Sequence, residues 1–135
     1  MIKSLFAYAS TLLTFVVVDF VWLGLMSPIF YRPAMGDLLA AQFRLLPAVV
    51  FYLLYGFGLW FFGVRPALDS GQWHTALVFG VLLGLFAYGT YDLTNMATLK
   101  QWPLKLAVVD MAWGALLSGI ACTAGFFLTR MLFKG

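Results

Sequence analysis

LFAYASTLLTFVVVDFVWLGLM, residues 5–26, carries one charged side chain, Asp19, in an otherwise apolar or weakly polar run. Such a run matches the roughly 20 residues that a helix needs to cross the hydrocarbon core of a bilayer. Lys3 precedes it as in a secretory leader, but the apolar stretch is too long for one. Asp19 also falls where a small-residue cleavage site should begin, so the segment reads as a retained span. Three further segments share this character. LLPAVVFYLLYGFGLWFFGV (45–64) has no charge, WHTALVFGVLLGLFAYGTY (73–91) has only His74 at its start, and LAVVDMAWGALLSGIACTAGFFLT (106–129) has only Asp110.

Composition agrees. The chain is 64% hydrophobic and 10% charged, whereas a soluble domain charges about a quarter of its residues. The apolar runs are continuous, without the alternation of a membrane barrel. The expected fold is an all-α membrane protein. Residues 1–135 form a single four-transmembrane-helix bundle, with spans at about 5–26, 45–64, 73–92 and 104–130 and both termini on one side.

The connections refine this picture. DLLAAQFR (37–44) has the pattern of a short interfacial helix. RPALDSGQ (65–72) reads as a tight turn with Pro66 and Gly71 as breakers. Pro103 suits the first turn of the fourth helix, and Trp22, Tyr31, Trp60, Trp73 and Trp102 lie near span ends, as an aromatic belt requires. Loop charges do not orient the bundle. Lys3, Arg65, Arg130 and Lys134 on one side balance Arg32, Arg44, Lys100 and Lys105 on the other, a balance compatible with a dual-topology dimer.

Several functions are disfavoured. A net charge of +3 without a Lys/Arg run gives nucleic acid no footprint. One histidine and one cysteine make a metal or haem site improbable, and no nucleotide-binding or hydrolase motif is present. No cofactor is expected. Cys122, in an apolar setting, reads as packing.

The acids carry the functional signal. Asp37 and Asp69 fall in loops, while Asp19, Asp92 and Asp110 fall within or at the end of spans, where a charge costs about 3 kcal/mol or more at mid-depth. Asp19 precedes the end of its span by about 10 Å at 1.5 Å per residue. Asp110 follows the start of its span by a similar depth, and Asp92 ends the third. In a chain that alternates direction, all three lie toward one side, with Arg32, Arg44, Lys100, Lys105, Thr94, Asn95 and Thr98. Small-residue stripes, Gly80–Gly84–Tyr88–Asp92 and Asp110–Gly114–Ser118–Cys122, run in line with two of the acids and mark helix seams.

The site candidates are therefore Asp19, Asp92, Asn95 and Asp110, supported by Tyr88, Thr94, Thr98, Lys100, Arg44 and Lys105. A plainer reading stands beside this one. The acids pair with Lys100, Lys105 or Arg44, or accept hydrogen bonds from Tyr8, Tyr52 or tryptophans, and only hold the bundle together. VVDFVW (17–22) and VVDMAW (108–113) repeat an Asp-x-x-Trp spacing in oppositely directed helices. They read as similar local solutions rather than as a duplication.

The strings FYLLYGFGLWFF with RPAL, AYGTYDLTNMATLKQWP and VVDMAWG, preceded by DFVWLG and FYRPAMGDLL, span nearly the whole chain. Together they resemble the bacterial membrane family termed domain of unknown function 2177. The resemblance implies an integral protein of the bacterial inner membrane with about four spans, and it assigns no activity. Two readings follow. The first is a protein that binds a lipid or small amphiphile at a polar pocket lined by intramembrane aspartates, with Lys100, Lys105 and Arg44 attracting phosphate. The second is a proton-coupled transporter working as a homodimer, with Asp19 as the exchanging carboxylate. An enzyme is the least supported, for want of a nucleophile-plus-base pair or metal ligands. Membrane lipids are the expected partners, with a homo-oligomer as a further one.

Overall fold

In lipid every backbone polar group must find its partner within the chain, so continuous apolar segments become helices. The computed structural model describes residues 1–38 and 44–133, and among these there are helices and turns but no strand. Four helices are long and apolar enough to cross a membrane: α1 (Ile2–Leu38), α2 (Leu45–Ser70), α3 (Trp73–Thr98) and α4 (Leu104–Leu132). The chain is a four-helix membrane protein.

Three of the helices run well past their predicted ends, α1 and α2 by way of a widened turn. In α1 a π-helical turn over Ser27–Tyr31 leads into Arg32–Met35; in α2 one over Trp60–Val64 leads into Arg65–Ser70. Each wide turn is followed by Arg-Pro, at Arg32-Pro33 and Arg65-Pro66. A proline ring within a helix clashes with the carbonyl four residues back, and a widened turn relieves that clash. Pro66 therefore does not break α2, contrary to the sequence reading. Gly71 does, at φ 74°, with its N–H on the Ala67 carbonyl at 2.8 Å. The third extension carries α3 through Asn95 to Thr98. Of the expected interfacial helix at 37–44, residues 39–43 lie outside the described residues.

Helix α4 is central. Its small-residue stripe meets that of α3 along the most extensive seam in the molecule, and α1 packs on its other flank. The approach is close enough that side chains are excluded. A Cβ on Gly80 would lie 2.7 Å from the Ser118 carbonyl, and one on Gly114 would overlap the Tyr88 ring. Helix α1 buries a single i, i+4 line of Ala7, Thr11, Phe15 and Asp19. Leu5, Leu13, Val17, Phe20, Val21, Leu23 and Leu25 are exposed, as a lipid-facing surface requires.

Helix α2 is unevenly engaged. Its Trp60–Val64 turn packs against α3 and α4, whereas Leu45–Leu59 leans on α1 and stands away from α3. A groove therefore opens between α2 and α3.

The seam makes a graded expectation. Gly114→Ala should destabilise the protein by about 1–3 kcal/mol, the usual cost of overpacking. Gly24→Ala, whose Cβ would meet nothing within 4 Å, should change stability by less than about 0.5 kcal/mol. Thermal unfolding in detergent measures both.

Candidate functional site

A carboxylate in an apolar bundle needs donors, and Asp19 has two. The Tyr52 hydroxyl of α2 donates to its Oδ2 at 2.6 Å, and Trp113 Nε1 of α4 donates to its Oδ1 at 3.1 Å. Asp19 is 7% exposed. With both oxygens held by neutral donors, it ties three helices together.

Trp113 is the tryptophan of the second Asp-x-x-Trp motif, and the first motif answers it. Trp22 stacks on Trp113 with ring centroids 4.2 Å apart and planes 9° from parallel. Trp22 Nε1 donates to the Tyr31 hydroxyl at 2.9 Å, and Tyr31 donates to Asp110 Oδ1 at 3.1 Å. Each motif's tryptophan thus serves the other motif's aspartate, directly in one direction and through Tyr31 in the other. An i, i+3 spacing puts Asp and Trp on one helix face, and opposed helix directions let the two faces cross-brace. The motifs are two halves of one interaction, which their reading as separate local solutions missed. Trp22 and Tyr31, assigned to the aromatic belt, belong to this network. So does Tyr52, which the sequence reading raised as a structural donor. The only sequence signal for it was the repeated spacing itself.

Asp92 is different. It is 0% exposed, and neither of its oxygens has a hydrogen-bond partner among the described residues; the buried Trp102 Nε1 is likewise unpartnered. Asp92 lies beside Asp110 and near Trp102 without a well-formed hydrogen bond to either. The α3 seam holds it there. Gly80, Gly84 and Asp92 are all buried on the α4-facing side.

The remaining candidates separate by exposure. Asn95 is half-buried, while Thr94 and Thr98 are exposed, and the Thr98 hydroxyl donates to the Thr94 carbonyl at 2.8 Å. Asp92, Asn95 and Thr98 share a helix face that leaves the bundle as it proceeds. Arg44, Lys100 and Lys105 are exposed. Lys105 Nζ lies 5.9 Å from the Phe30 ring centroid. The donors to Asp19 and Asp110 are tyrosines and a tryptophan, not these bases. The expected Tyr8 bond goes instead to the Leu53 carbonyl.

Asp110 is half-buried and borders a cleft of about 380 Å³, whose other walls are Phe51, Ala87, Tyr88 and Tyr91. Phe51 and Ala87 also line a second cleft of about 360 Å³ with Leu54, Gly58, Phe62, Leu83 and Phe86, so the two adjoin along the α2–α3 groove. Among the described residues the acids do not form a metal-binding group of three. They form a layer: Asp19 braced, Asp92 enclosed, Asp110 at the cleft wall.

These features define a small helical membrane protein with an acidic layer inside its bundle. The chain belongs to the family described as "Predicted membrane protein (DUF2177)", which it matches over residues 4–127. No curated protein and no solved structure matches the sequence.

The brace predicts energetic coupling. Tyr52→Phe should lower stability by about 1 kcal/mol, since it strands one oxygen of a buried carboxylate. In an Asp19→Leu background the same change should cost almost nothing. A double-mutant cycle on thermal unfolding measures the difference.

Proposed function

We propose that the protein binds a lipid or small amphiphile taken from the bilayer. The chain of the guest lies in the α2–α3 groove and its polar head lies at Asp110. One observation carries this reading: two adjoining clefts pass from walls of Leu54, Phe62, Leu83 and Phe86 to a wall that contains a carboxylate. An apolar trough ending in one well-placed polar group is the usual design of a small-molecule site, and the volumes fall in its usual range of about 300–1,000 Å³. The unpartnered carboxyl of Asp92 supports it from behind. A buried acid without donors costs stability, and such groups inside membranes commonly mark a functional site.

The proton-coupled carrier working through Asp19 draws less support. Both Asp19 oxygens are engaged, and the residue does not line either cleft. Phosphate attraction by Arg44, Lys100 and Lys105 draws little either, because none of them borders the cleft beside Asp110.

The test uses extraction into native-lipid discs, with mass spectrometry of what accompanies the protein. An amphiphile enriched several-fold over the surrounding membrane is expected. Its enrichment should fall to background in Gly58→Phe, which fills the groove; a Cβ there has only Leu83 Cδ2 nearby, at 4.0 Å. A lipid profile equal to the bulk membrane in both proteins would rule the reading out.

A further inference from the structure

Resting on the amphiphile reading above, we infer that the head-group end is built for a cation, and that the guest is a single-chain amphiphile with a primary ammonium head. Three features of the cleft and of the acids behind it point to that chemistry.

The first is the acceptor inventory. Asp110 takes the Tyr31 hydroxyl on Oδ1, and apart from the adjacent carboxyl of Asp92 no side chain among the described residues donates to it. Asp92, beside it, has both oxygens unpartnered and is fully enclosed. A head that brings N–H donors can bond to Asp110 at the cleft wall, with the enclosed Asp92 behind it, whereas one that brings only acceptors cannot.

The second is charge. Asp19, Asp92 and Asp110 lie in one layer, and the groups that hydrogen-bond to Asp19 and Asp110 are neutral. Their donors supply dipoles but cancel no charge. Two carboxyl groups side by side hold a proton or a cation between them, and with the proton on enclosed Asp92 the charge that faces the cleft is that of Asp110. A phosphate or carboxylate head would meet this field with the wrong sign, while an ammonium on Asp110 places positive charge next to Asp92 as well.

The third is the wall. Phe51, Tyr88 and Tyr91 line the same cleft as Asp110. Aromatic faces attract cations through their quadrupole, and rings around a carboxylate form a common ammonium-binding arrangement. The restriction to one chain follows from size. Each cleft is near the small end of ligand pockets, a size that suits one alkyl chain.

The experiment uses the full-length protein in phosphatidylcholine nanodiscs, whose lipid carries no primary amine, with empty discs as the partition control. Saturable binding of labelled dodecylammonium, dodecanol and dodecyl phosphate is measured to each. Dodecylammonium should bind at least about tenfold more tightly than dodecanol, the scale of one charge-assisted hydrogen bond. Dodecyl phosphate should bind most weakly. Asp110→Asn should remove the ammonium preference while leaving dodecanol binding within about twofold. The ranking on the unaltered protein stands even if that variant fails to fold. Equal or tighter binding of dodecanol or dodecyl phosphate would overturn the cationic head and leave the groove reading intact. If none of the three binds saturably, or if Gly58→Phe leaves their binding unchanged, the groove reading falls and takes this inference with it.

Discussion

A carboxylate inside a bilayer must be supplied with donors by the protein itself, and the bundle is arranged around that constraint. Asp19 meets it by drawing Tyr52 from α2 and Trp113 from α4. Asp110 meets it through Tyr31, which Trp22 holds in place. The stacked Trp22–Trp113 pair joins the two halves. Because its two bonds end on different helices, losing Asp19 loosens α1, α2 and α4 together, while losing Asp110 frees the Tyr31 end of α1 from α4. In water such bonds would compete with solvent. In hydrocarbon the alternative is an unsatisfied charge, so the pattern has few competitors.

The same constraint explains why the groove lies where it does. Helix α3 is drawn against α4 by stripes of glycine and serine that admit no larger side chain. Helix α2 is held on α1 by Tyr52 and Tyr8, and on α4 by the hydrogen bond of 2.6 Å between Tyr55 and Ser118. Its upper half is thereby kept from closing on α3, and the gap that remains runs toward Asp110. The three acids divide the work: Asp19 braces, Asp92 supplies an enclosed unpartnered carboxyl, and Asp110 meets the cleft.

Much of this was legible in the residues. Continuous apolar runs and the cost of intramembrane charge were enough for the four helices and for gathering the acids toward one side. The glycine stripes correctly marked the α3–α4 seam. Three things were not legible. Pro66 looked like a breaker because the π turn ahead of it was not anticipated, so α2 read as shorter than it is, and α1 likewise runs on through a π turn past Met26. The reciprocal Asp–Trp brace was invisible because spacing within one helix does not say which face another helix presents. The basic residues near the acids suggested ion pairs, since sequence gives depth but not azimuth. In the folded chain Arg44, Lys100 and Lys105 face outward, and neutral aromatic donors serve the acids instead.

The central claim is that Asp92 and Asp110 stand side by side within the bundle, one enclosed and one at the cleft. Solid-state NMR on carboxyl-¹³C-aspartate protein in lipid bilayers tests it most directly, because the chain has only five acidic residues and all are aspartates. The account predicts a carboxyl-to-carboxyl dipolar contact that disappears in Asp92→Ala and is absent for Asp37 and Asp69. Isolated carboxyl signals for Asp92 and Asp110, with the Asp92 resonance in contact with lipid acyl chains, would contradict it.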